Sequence, residues 1–92
     1  MAVTNLLAAG SEEATSATFT LEGGATMTLA GAARPAGATY WRVDVERQFS
    51  DGEWESVGQL RWDMRMLTLY GDGTYRLRRL AGGGCLVDGA LS

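Results

Sequence analysis

From Ala17 onward the chain alternates apolar and polar residues with a period of two, the signature of strands with one buried face and one wet face. In ATFTLEG, Phe19 and Leu21 alternate with Thr18 and Thr20. In ATMTLAG, Ala25, Met27 and Leu29 alternate with Thr26 and Thr28. Threonine suits the outer face, because β-branched side chains fit a half-buried pleat. The glycine pair at 23 and 24 predicts a turn between these two strands. GAARPAG, residues 31–37, holds the only proline and reads as a loop. TYWRVDVERQF is the longest predicted strand, with Trp41, Val43 and Val45 on one face and Arg42, Asp44 and Glu46 on the other.

Asp51-Gly52 is a hairpin signal, after which EWESVGQLRW returns with Trp54 as its expected inward anchor and Gly58 as a candidate bulge. In DMRMLTLY the neighbours Met66 and Leu67 break parity, which predicts a bulge or a strand junction. GDG at 71–73 turns the chain into TYRLRRL, with Tyr75 and Leu77 inward, and the glycines at 82–84 turn it into CLVDGALS. The pattern predicts an all-β fold: a small antiparallel β-sandwich of about seven strands, immunoglobulin-like, over residues 17–92. A small barrel is the competing architecture. Residues 1–16 lack clear periodicity and end in the polar stretch SEEATS. They read as an N-terminal arm carrying Val3, Leu6 and Leu7, or as a short helix folded back on the domain.

Composition then removes several chemistries. With 92 residues there is room for one domain. There is no histidine and a single cysteine, Cys85, so Ser-His-Asp and Cys-His sites, ordinary zinc sites and an internal disulfide all lack their residues. Net charge is −3, and all eight basic residues are arginine. An acidic domain has no general attraction to phosphate backbones, so no nucleic-acid partner is expected. Arg76 and Arg78 share one strand face and read as a solvated pair. The N-terminus has no basic start and only a four-residue apolar run, so neither a secretory signal nor a membrane span is expected, and an unpaired thiol fits a reducing cytoplasm.

No catalytic, metal or cofactor site is predicted. Asp44 with Glu46, and Glu53 with Glu55, are same-face acid pairs beside Arg42 and Arg47, which points to cross-strand ion pairs rather than acid catalysis. SDGE and GDGT each offer one aspartate beside glycine, as a turn needs. The triple glycine lacks the lysine and hydroxyl of a phosphate-binding loop. Trp41 and Trp54 take the inward parity of core residues, whereas Trp62, between Arg61 and Asp63, is a candidate contact residue. Exposed tryptophans, Trp62 above all and Trp41 with it, also admit glycan binding as an alternative. Tyr75, after a glycine turn, has the setting of a tyrosine corner, whose hydroxyl pins a turn.

The succession FTLEGGATMTLAG, a long strand, DGEWESVGQL and LYGDGTYRLRR resembles small virion proteins of tailed bacteriophages and related gene transfer agents, the capsid decoration and head-fibre proteins. Gly52, Trp54, Val57, Gly58 and Leu60, then Gly73, Tyr75, Arg76, Leu77 and Arg78, carry the resemblance, which spans roughly residues 17–80. It implies a non-enzymatic structural protein made in the bacterial cytoplasm and placed on the outer capsid surface. Its implied partners are the major capsid protein or other virion proteins, and a homo-oligomer such as a trimer. It also implies attachment through a terminal arm, here Val3, Leu6 and Leu7. A tail or connector position in the same virion is the alternative.

Overall fold

The computed structural model describes residues 2–34 and 40–91. The strands are β1 (Ala2–Gly10), β2 (Ala14–Thr15), β3 (Phe19–Leu21), β4 (Thr26–Ala33), β5 (Arg42–Gln48), β6 (Trp54–Arg61), β7 (Met66–Tyr70), β8 (Gly73–Arg79) and β9 (Cys85–Leu91). They form two antiparallel sheets. One has the order β1-β9-β4-β7; in the other β2 and β3 both lie along β8, followed by β5 and β6. The pairs are nested: β5 with β6, β4 with β7, β2 and β3 with β8, and β1 with β9. The chain is thus one long hairpin rolled up on itself, and the pairings β4–β9 and β5–β8 close the roll. This is a jelly roll, with β2 and β3 together filling one of its eight strand positions.

The expected immunoglobulin-like order is therefore corrected. In an immunoglobulin domain the first and second strands are sheet neighbours; here the neighbour of β1 is β9. The described residues hold nine strands against the seven expected. Period-two alternation marks a strand but not its partner, so a turn crossing between sheets looks like a hairpin turn in the sequence. The glycine pair 23–24 is such a crossing, joining β3 in one sheet to β4 in the other.

The expected arm over residues 1–16 is likewise replaced. Ala2–Gly10 runs the length of β9, with Ala2 opposite Leu91 and Gly10 opposite Cys85. Two register shifts, between Asn5 and Leu7 and between Leu7 and Gly10, interrupt its alternation and hide the strand from a period-two reading. Leu7 is only 4% exposed, and Leu6 packs against the same core. The missing side chain of Gly89 leaves space for Leu6, whose Cδ1 would otherwise lie 2.8 Å from a Cβ. Of the predicted loop at 31–37, Gly31–Ala33 belongs to β4, held by pairing to Val87, Leu86 and Cys85. Positions 35–37, Pro35 included, lie outside the described residues.

The core lies between the sheets. Leu7, Met27, Leu29, Leu69, Cys85 and Val87 come from one side, and Leu21, Val43, Val45, Leu60, Tyr75 and Leu77 from the other. Trp41, just before β5, closes one end of this layer and rests on Gly31: a Cβ there would sit 2.5 Å from the indole ring. Gly31→Ala is therefore expected to lower stability by about 1–3 kcal/mol through overpacking. A urea midpoint equal to that of the parent would show that the ring yields freely.

Candidate functional site

Described residues of four connections come together at the end of the sandwich capped by Trp41: those between β1 and β2, β6 and β7, and β8 and β9, with Arg34 and Tyr40 from between β4 and β5. Backbone bonds tie them together. Gly82 N–H donates to the Ser11 carbonyl at 3.0 Å, Arg34 N–H to Gly84 at 3.2 Å, and Trp62 N–H to Trp41 at 3.2 Å. Trp62 and Asp63 form a two-residue turn closed by reciprocal bonds between Arg61 and Met64, at 2.9 and 3.0 Å. The indole of Trp62 is thus carried on a short, doubly bonded loop.

Against it stands Tyr40. The two rings meet edge to face, 5.2 Å apart between centroids and inclined at 74°. Both are accessible, Tyr40 at 73% and Trp62 at 49%, and Met64, which closes the same turn as Trp62, is also exposed. Tyr40 has φ of 59°, the left-handed region, and is the non-glycine residue found there among those described. Such a conformation costs on the order of 1–2 kcal/mol for an L-residue with a bulky side chain. It turns the phenol out against the indole while the next residue, Trp41, enters the core. Arg34 and Arg65 are exposed and form no ion pair among the described residues, whereas Arg61 and Asp63 pair at 3.4 Å. Tryptophan, tyrosine and arginine are the side chains that dominate binding energy at protein interfaces.

The other residues named from the sequence fall elsewhere. Val3 is exposed on the outer face of its sheet, while Leu6 and Leu7 are taken up by the core. Trp41 is buried. Trp54 is not the inward anchor that its spacing suggested. A register shift opposite Val45 and Glu46 leaves Val57 unpaired and reverses the parity of everything before it on β6. Trp54 therefore lies half-buried on the outer face, opposite Gln48, with the Arg76 guanidinium stacked 4.2 Å above its ring. Tyr75 is buried, stacks on Phe19, and donates its hydroxyl hydrogen to the Gly71 carbonyl at 2.7 Å.

The three arginines of YRLRRL separate. Arg76 and Arg78 point outward and pair with Glu46 at 2.7 Å and Glu13 at 3.3 Å. Arg79 points inward and is 5% exposed. Its guanidinium lies against Gly10 and donates to three carbonyls: Ala8 at 2.7 Å, Cys85 at 2.8 Å and Glu12 at 2.8 Å. Of the acid pairs, Asp44 accepts from Arg42 on its own strand at 3.0 Å, and Glu53, just before β6, and Glu55, on it, are exposed. Asp51 accepts from the Glu53 N–H at 2.9 Å, and Asp72 from the Gly24 N–H at 3.1 Å, so each aspartate braces a turn.

Burial pushes the Cys85 thiol pKa up, and the charge and hydrogen bond of Arg79 only partly counter this. A thiol harder to ionise in the folded state contributes stability that is full below its ordinary titration range and declines as pH rises through it. The parent is expected to lose stability on that alkaline limb more steeply than Cys85→Ala; parallel urea midpoints for the two would contradict it.

Tyr40 and Arg79 were not singled out from the sequence. Nothing in the local pattern brings position 40 to position 62, and Arg79 follows Arg78 in what reads as one basic run. Inward parity shared with Tyr75 and Leu77 was the available signal for Arg79.

No family model matches the sequence, and no curated protein matches it. Among solved structures, the crystal structure of the SPBc2 prophage-derived protein YomS is similar to this chain. The TM-score is 0.75 at 10% sequence identity, over 99% of this chain and 92% of that one. At that identity the likeness is one of fold.

Proposed function

We propose that the protein is a non-enzymatic structural component of a tailed phage or phage-like particle, docking on the outer capsid surface through Tyr40, Trp62 and Met64. The observation that carries this reading is the near full-length fold likeness to a prophage-derived protein. It joins the resemblance of residues 17–80 to small virion proteins. The Trp62 turn supplies a pre-organised anchor: it is closed by the reciprocal Arg61–Met64 bonds and tied to Trp41, so little ordering entropy is lost there on binding. Many copies, each held by a modest contact, stabilise a particle by avidity. The partner is the major capsid protein, and the docking unit is one chain or a small homo-oligomer.

The test is sedimentation with purified particles of the phage concerned, fractionated into heads, tails and complete virions. The expected result is association with heads that Tyr40→Ala combined with Trp62→Ala abolishes while leaving the thermal melt intact. Association with tails alone would move the protein to a tail or connector position. Association with no fraction would overturn the reading. Tryptophan quenching on addition of a glycan panel, absent in Trp62→Ala, would favour carbohydrate instead. The steep angle between the two rings offers a corner for an inserted side chain rather than a flat platform for a sugar.

A further inference from the structure

The sandwich is open along one side. There the edge strands β6 and β7 are joined at one end by residues 62–65 and, beyond that link, face each other without a shared ladder. Between them lies a cleft of about 470 Å³ lined by Val57, Leu67, Leu69, Tyr70 and Tyr75, with Arg47 and Asp72 at one end. The volume falls within the range of sites that enclose a few residues of a ligand. The unpaired Val57 on β6 and the missing side chain of Gly58 shape it. A Cβ at Gly58 would lie 2.9 Å from Leu67 Cδ2.

The cation at its end is held in place yet not neutralised. The Arg47 guanidinium packs against Gly73, where a Cβ would approach within 2.6 Å of Nε; it stands 5.7 Å from the centroid of the Phe49 ring, and Nη2 donates to the Asp72 carbonyl at 2.8 Å. Its other N–H groups have no acceptor among the described residues, and it takes part in no ion pair there. Asp72 in the cleft and Glu55 opposite on β6 form no ion pair with it: the Asp72 carboxylate accepts from Gly24 N–H, and Glu55 is exposed.

We propose that the open edge of β7 takes an extended acidic segment of a partner polypeptide as an added strand, its apolar side chains entering the cleft and its carboxylate meeting Arg47. An added strand supplies main-chain hydrogen bonds for affinity, and alternate side chains give specificity. Residues at i, i+2 and i+4 of such a strand share the inward face and span about 13 Å. The order along the cleft is apolar near Leu67 and Val57, then acidic beside Tyr70. This assignment uses none of the residues of the aromatic corner, although Trp62 and Met64 sit on the link that joins β6 to β7.

The test uses the full chain and two fluorescein-labelled, end-blocked heptapeptides. One has valine, leucine and glutamate at its second, fourth and sixth positions with threonine between; the other is the same sequence reversed, to cover both strand directions. One of the pair is expected to bind saturably by anisotropy and to slow amide exchange within Met66–Tyr70. Affinity is expected to fall at least tenfold when glutamine replaces the peptide's glutamate, a change that leaves the protein untouched. Arg47→Met is expected to give the same loss with an unchanged melt. Absence of saturable binding by either peptide, equal affinity for the glutamine form, or protection elsewhere overturns the proposal. A free protein that dimerises through Met66–Tyr70 while binding neither peptide assigns the edge to a second copy and overturns it as well.

Discussion

Replacing Arg79 with methionine is expected to remove about 3–5 kcal/mol of folding stability, much of what a domain of this size possesses. Methionine keeps the apolar stem and the approximate volume, so the core beside Val43 and Leu77 stays filled. What disappears is the guanidinium that satisfies the carbonyls of Ala8, Glu12 and Cys85. A carbonyl left without a donor in a buried site costs on the order of 1–3 kcal/mol. These carbonyls belong to the end of β1, the connection that follows it, and the start of β9, so one side chain joins three separate pieces of chain. Arg79→Lys is expected to fall between the two, because a single ammonium lacks the fork that reaches several acceptors at once. Arg76→Met, which breaks a half-buried pair on the outer face, is expected to cost about 1 kcal/mol or less. Urea denaturation of the three variants gives the comparison. A loss below about 1 kcal/mol for Arg79→Met would mean that water replaces the guanidinium and that the latch is dispensable.

Removing residues 2–10 is expected to unfold the protein. β1 covers one edge of β9 over its whole length and contributes Leu7 to the core, with Leu6 packed against it. Without it β9 becomes an unprotected edge, and the carbonyl of Ala8 no longer engages Arg79. Loss of one buried leucine alone is worth about 2–5 kcal/mol; loss of the ladder adds to it. The truncated chain is expected to lack a cooperative thermal transition and the dispersed amide spectrum of a folded sheet. A truncated protein that melts cooperatively near the parent's midpoint would restore the idea of a separable arm. The milder Leu7→Ala is expected to retain the fold with a lowered midpoint.

The parts of the fold legible in the sequence are those where alternation runs unbroken. Phe19 with Leu21, Met27 with Leu29, Val43 with Val45 and Tyr75 with Leu77 mark strands by parity, and the structure puts each of them in or against the core. The all-β class and the two-sheet layering follow from those positions. Register shifts hid the rest. In β1 two of them scramble the period around adjacent Leu6 and Leu7, so a strand reads as an arm. In β6 one shift turns Trp54 outward, although Leu60 further along the strand keeps the expected inward parity. Partner choice was not legible either, since parity is identical whether a turn stays within a sheet or crosses to the other. Trp62 stood out because its charged neighbours offer it no apolar face, whereas its partner Tyr40 and the open edges flanking the cleft exist only once distant segments are brought together.

The nested pairing has a consequence for how the molecule comes into being. Val3 finds its partner at Ala90, so β1 must wait for β9, about 80 residues later in the chain. The hairpin of β5 and β6 can form early, and the pairs outside it accrete in turn, each closing a longer loop than the one before. A nascent chain on the ribosome therefore carries β1 unpaired until β9 has emerged, and the sandwich is sealed only then. Such an order of assembly favours slow, all-or-none acquisition of structure, and it leaves the newly made chain in need of protection from its neighbours until β9 arrives.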